Sequence, residues 1–101
     1  MTPATARRSP LTVRSDRGAL VLELADLLDA SVGEALVAAA DAALETSPSR
    51  VDIDLQRLQS WTHEGALALV RCREICRDLP EGLHYRTGRG PGRAALLAAY
   101  A

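Results

Sequence analysis

Val51-Asp52-Ile53-Asp54-Leu55, with the residues that lead on to Trp61-Thr62-His63-Glu64-Gly65, decides how this chain folds. Val51, Ile53 and Leu55 are apolar and alternate with two aspartates, the period-two pattern of a strand. Gln56 to Trp61 reads as a loop. From His63 the period lengthens, and Ala68, Leu69, Cys72, Ile75, Cys76 and Leu79 fall on one stripe of a helix. Arg71, Arg73, Glu74, Arg77 and Asp78 face away from that stripe, as expected of a helix buried on one side.

Residues 1–10 (MTPATARRSP) are polar, hold two prolines and show no period, so they read as a flexible tail ahead of a domain over 11–101. Leu11 to Ser15 alternates apolar and polar residues, Asp16-Arg17-Gly18 supplies turn chemistry, and Ala19 to Leu24 follows as a second strand. Together they predict a hairpin. Asp29 or Ser31 is placed to cap a helix over roughly 31–45, which Pro48 stops. A helix that joins two strands normally leaves them parallel through a right-handed crossover. Pro80-Glu81-Gly82 ends the next helix, Leu83 to Arg86 is a fourth strand, and Arg93 to Tyr100 a last helix. The expected architecture is α/β: a mixed four-stranded sheet in the order ββαβαβα, helices mainly on one face.

The totals fit one such domain. The 101 residues are 48% hydrophobic and 25% charged, the balance of a globular chain. Trp61, Tyr85 and Tyr100 are the only aromatics, so the core must be built from Leu, Val, Ile and Ala. A net charge of −1 gives no global field for nucleic acid. Residues 1–15 carry +3, residues 16–64 ten acids against three Arg (−7), and residues 65–101 six Arg against three acids (+3). No apolar run approaches the roughly 20 residues that span a bilayer, and no secretory signal precedes the domain. The expectation is a cytoplasmic protein without direct membrane insertion. Cys72 and Cys76 lie one helical turn apart on the core stripe and read as small buried hydrophobes.

No constellation points to catalysis. His63 and Glu64 are adjacent on a helix, hence about 100° apart, and do not converge on a metal with His84. Gly88-Arg89-Gly90-Pro91-Gly92-Arg93 lacks the Lys-Ser/Thr ending of a phosphate loop and reads as a connector. The chain is therefore expected to have no catalytic, cofactor or metal residues and not to be an enzyme. Trp61 reads either as a plug under the loop or as an exposed anchor, a role in which Trp is common at interfaces. Leu67 and Val70, off the core stripe, would extend such a patch.

Three local signatures in this element order resemble the STAS family, the sulfate transporter and anti-sigma factor antagonist domains. Leu24-Ala25-Asp26-Leu27-Leu28-Asp29 matches its Leu-x-Gly-x-Leu-Asp pattern at Leu24, Leu28 and Asp29, with Asp26 where Gly is usual. Ile53-Asp54-Leu55 matches its apolar-Asp-Leu strand. Thr62, His63 and Glu64, ahead of Gly65, fall on its Asp-Ser-Ser-Gly motif, and Ala66 to Leu69 continue as expected. The resemblance covers roughly 11–100.

It implies a non-catalytic bacterial module for transcription regulation and signalling that works through protein–protein interaction. In antagonists of the family the first serine of the motif is phosphorylated by a kinase that is itself the anti-sigma factor. A phosphate there lies on free N–H groups at a helix start and adds close to two negative charges. Here that position is His63. The partner is then engaged constitutively, or Thr62 serves as a displaced phosphoacceptor, or the module acts as a scaffold. The implied partner-binding residues are Asp29, Trp61, Thr62, His63, Glu64, Gly65 and Leu67, facing an anti-sigma factor or kinase-like protein. The alternative partner is a transporter subunit, with the chain as the cytosolic STAS subunit of a lipid ABC transporter. Homodimerisation is left open.

Overall fold

The computed structural model describes residues 10–101. The tail expected over 1–10 lies, Pro10 apart, outside the described residues. The elements are β1 (Leu11–Asp16), β2 (Ala19–Leu28), α1 (Ala30–Ala43), a 3-10 turn (Leu44–Thr46), β3 (Arg50–Trp61), α2 (His63–Ile75), β4 (Leu83–Arg86) and α3 (Pro91–Ala99). The sheet order is β1-β2-β3-β4. β1 is antiparallel to β2, whereas β3 runs parallel to β2 and to β4. The hairpin turns on Arg17 (φ +54°) and Gly18 (φ +86°), both left-handed, the twist that suits a two-residue loop.

All three helices lie on one face, where they bury a single core. Leu22, Leu24 and Leu28 of β2 and Val51, Ile53 and Leu55 of β3 meet Leu36 and Ala40 of α1, Leu69 and Cys72 of α2, and Ala95 of α3. Small residues let backbones come close. A Cβ on Gly92, in the first turn of α3, would run into the carbonyl of Leu55. What reads as a connector glycine is thus a packing position. Tyr85 ties β4 to α2 by donating its hydroxyl to the Leu69 carbonyl at 2.7 Å, and it packs edge-on against Tyr100 with ring centroids 6.4 Å apart.

Three boundaries, the ends of β2, β3 and α2, differ most from the sequence reading. The expected loop 56–61 is strand: β3 continues to Trp61 because β2 also continues, to Leu28, and the two stay paired through two register shifts. Of those residues only Leu58 is buried, so no period marked them. At the second irregularity, between Asp26 and Leu27, Asp26 takes φ +69°, the left-handed region that favours glycine. α2 stops at Ile75, short of Leu79, with the Cys76 N–H closing the last turn on the Cys72 carbonyl.

Among the described residues no helix covers the opposite face, yet Asp52 and Asp54 on it are 2% and 6% exposed. Two arginines close over Asp52. Arg86 donates to Asp52 Oδ2 from Nε at 3.1 Å and Nη2 at 2.6 Å, and Arg50 Nε stands 2.9 Å from Oδ1. Arg86 also lies 3.8 Å from Asp16, and Arg50 3.6 Å from Glu81. The alternating aspartates of β3 are therefore not solvent-facing. Asp52 anchors an ion cluster across the sheet, while Asp54 Oδ1 accepts from Gln56 N at 3.0 Å. The Asp52 hydrogen bond pushes the Arg86 guanidinium above its ordinary range.

Candidate partner-binding surface

The parallel pair β2–β3 ends at Leu28 and Trp61, which are register partners. Each strand then gives way to a helix within two residues, and the two starts are built alike. Asp29 caps α1, its Oδ1 accepting from Val32 N at 2.9 Å. Thr62 caps α2, its Oγ1 accepting from Gly65 N at 3.1 Å. Thr62 N in turn donates to the Leu28 carbonyl at 2.9 Å, which fixes one start against the other. A short oxygen acceptor at each N-cap satisfies donors that the helix cannot.

Gly65 sits at this junction because nothing larger fits. A Cβ there would overlap the backbone of Leu28 and Asp29. Across the gap, a Cβ on Gly33 of α1 would stand 3.0 Å from the Ala68 Cβ and 3.4 Å from the Gly65 carbonyl. The first turns of α1 and α2 are thus in backbone-close contact. Between them runs a shallow groove of about 350 Å³, floored by Ala30, Gly33 and Ala68 and rimmed by Glu34, Glu64, Leu67 and Arg71.

The residues singled out from sequence gather here. His63 and Glu64, the first two residues of α2, are exposed, and Glu64 places a carboxylate in its first turn, where the helix dipole favours it. Leu67 is 41% exposed one turn on, and Leu27 is 38% exposed at the end of β2. Trp61 is half-buried and packs against the core, the plug rather than the exposed anchor. The stretch 61–65 comprises a strand end, a cap and a first helical turn. Thr62 is exposed but its oxygen is occupied by the cap.

A wider concavity of about 680 Å³ lies away from the helix starts, walled by Glu23, Asp26, Gln56 and Arg57. Among the described residues no group of three or more His, Cys, Asp and Glu could hold a metal ion. Among the described residues no helix is long and apolar enough to cross a membrane. Cys72 and Cys76 are free thiols in the core; burial pushes Cys72 up to about 12 and raises Cys76 as well.

No family model and no curated protein matches the sequence. Solved structures do match the fold. An anti-sigma factor antagonist from Mycobacterium paratuberculosis superposes with a TM-score of 0.71 at 22% identity, covering 89% of this chain and 77% of that one. The anti-sigma factor antagonist SpoIIAA, in its unphosphorylated form, gives 0.64 at 19%, covering 86% and 81%. Mglu gives 0.68 at 15% over 79% of this chain, which spans only 20% of that protein. The chain has the mixed four-stranded α/β fold of anti-sigma factor antagonists, the STAS fold expected from its sequence.

Proposed function

We propose that this chain is a non-catalytic regulatory module that docks a protein of the anti-sigma-factor type through the paired helix starts. The observation that carries the proposal is the joint presentation of both caps and the groove between α1 and α2. Leu27 and Leu67 stand exposed at that end, and Glu34, Glu64 and Arg71 rim the groove. A small apolar centre with a charged rim is the anatomy of a protein-binding patch. The antagonist fold supports the same assignment.

Docking in this reading is not gated by a phosphate at the motif position. His63 offers no hydroxyl there, and a phosphate on Thr62 would engage the oxygen that caps α2. Partner capture with Leu67→Arg and Leu97→Arg variants tests the surface; Leu97 is 62% exposed on α3. Leu67→Arg is expected to lose the partner recovered by the wild type, and Leu97→Arg to keep it. Equal recovery by both variants, each folded by circular dichroism, would sink the proposal.

A further inference from the structure

The outer edge of the sheet presents a second surface, independent of the helix starts. Ala25 N donates to the Pro10 carbonyl, and β1 pairs with β2 from Leu11–Leu24 to Asp16–Ala19. Antiparallel ladders alternate, so the even-numbered residues of β1 spend their backbone groups on β2. The backbone groups of Val13 and Ser15 therefore point away from the sheet. No proline or bulge blunts the strand there, and Val13 is 53% exposed. Arg14 and Asp16 share the face that carries the ion cluster, two residues apart and opposite in charge.

That charge order selects a partner. Two copies of β1 laid antiparallel with Arg14 on Arg14 set like charges face to face, whereas a shift of one residue along each strand sets every Arg14 opposite an Asp16. We propose that β1 pairs edge to edge with β1 of a second copy, with Ser15 opposite Ser15 and Arg14 opposite Asp16 of that copy. The two Ser15 residues exchange their outward N–H and C=O groups across the two-fold axis, and Val13 is covered by the hairpin turn of the second copy. The result is one sheet continuous through both copies. Because the paired strands are antiparallel, the helix-start surfaces end up at opposite ends of the joined sheet. Both stay open, and the dimer is bivalent. An overlap this short gives a weak dimer that forms as concentration rises.

Sedimentation velocity of the full chain from micromolar to millimolar concentration tests it. The wild type is expected to move from the monomer towards the dimer value. Ser15→Pro, which removes an outward donor and leaves the β2 ladder untouched, is expected to stay monomeric. Arg14→Asp and Asp16→Arg are each expected to weaken association about tenfold, and the double swap to restore it. The swap keeps the test decisive if Ser15→Pro fails to fold. A wild type that stays monomeric throughout, or single swaps that the double variant does not rescue, overturns the edge pairing.

Discussion

Arg86 of β4 closes over Asp52 of β3, two hydrogen bonds onto a carboxylate whose side chain is 3% exposed on a face that no helix covers. Arg50 completes the cover from the other side at 2.9 Å. A buried charge stripped of one partner costs more than the intact pair contributes. Arg86→Leu is therefore expected to lower the thermal midpoint by about 4 °C or more. Asp52→Leu combined with Arg86→Leu should regain most of that loss, because the charge is then gone as well. A double variant less stable than the single one contradicts this account.

Gly65 separates packing from conformational freedom. It has ordinary helical angles, so only the backbone of Leu28 and Asp29 opposes a side chain there. Gly65→Ala must push the start of α2 off the sheet and is expected to cost more than about 2 kcal/mol in urea unfolding. Gly82 is the reverse case, with φ +69° and no atom within 4 Å of an added Cβ. Gly82→Ala should cost only about 1 kcal/mol, the strain of the left-handed region.

Asp26 bears that same strain without glycine's freedom, at φ +69°. Its side chain is exposed and no hydrogen bond of it is seen. Asp26→Gly is expected to raise stability by a few tenths to about 1 kcal/mol, and Asp26→Val to lower it, a β-branched residue tolerating left-handed angles poorly. Denaturant midpoints of the two variants should move in opposite directions.

Burial raises the Cys72 thiol from 9.0 to about 12. Below pH 9 the thiol is protonated in the folded and unfolded chains alike, and the stabilisation is fully present. As pH climbs from about 9 to about 12 the unfolded chain releases its proton first, so stability falls, with a slope approaching about 1.4 kcal/mol per pH unit. Cys72→Ala should show a shallower decline in urea midpoint between about pH 8 and about pH 10. The intact protein should also react slowly with thiol reagents at neutral pH.

The element order was legible because its signals are local. Alternation at Val51, Ile53 and Leu55 marks β3, helical spacing at Ala68, Leu69 and Cys72 marks α2, and the cap of α1 is narrowed to Asp29 or Ser31. The extension of β3 to Trp61 was not legible, since Gln56, Arg57, Gln59 and Ser60 owe their strand geometry to pairing with a lengthened β2. The burial of Asp52 was hidden for a related reason. An aspartate in an alternating strand reads as solvent-facing unless its cover is known, and here the main cover is Arg86, 34 residues away. His63, Glu64 and Leu67 stand together at one end of the fold, as their spacing on a helix start implies, but the sequence leaves Trp61 open between plug and anchor. Whether an indole at a strand end turns inward depends on the room beneath it, which the sequence does not state.

The close seating of Gly33 and Gly65 bears on how fast and how selectively this end of the molecule can engage anything. Two helix starts locked to each other and to the Leu28 carbonyl leave His63, Glu64 and Leu67 little backbone freedom to surrender. A partner that meets them does not have to order them first, so more of the contact energy survives as affinity. The same rigidity narrows the choice of partner, since a surface that cannot remodel accepts only shapes that already fit.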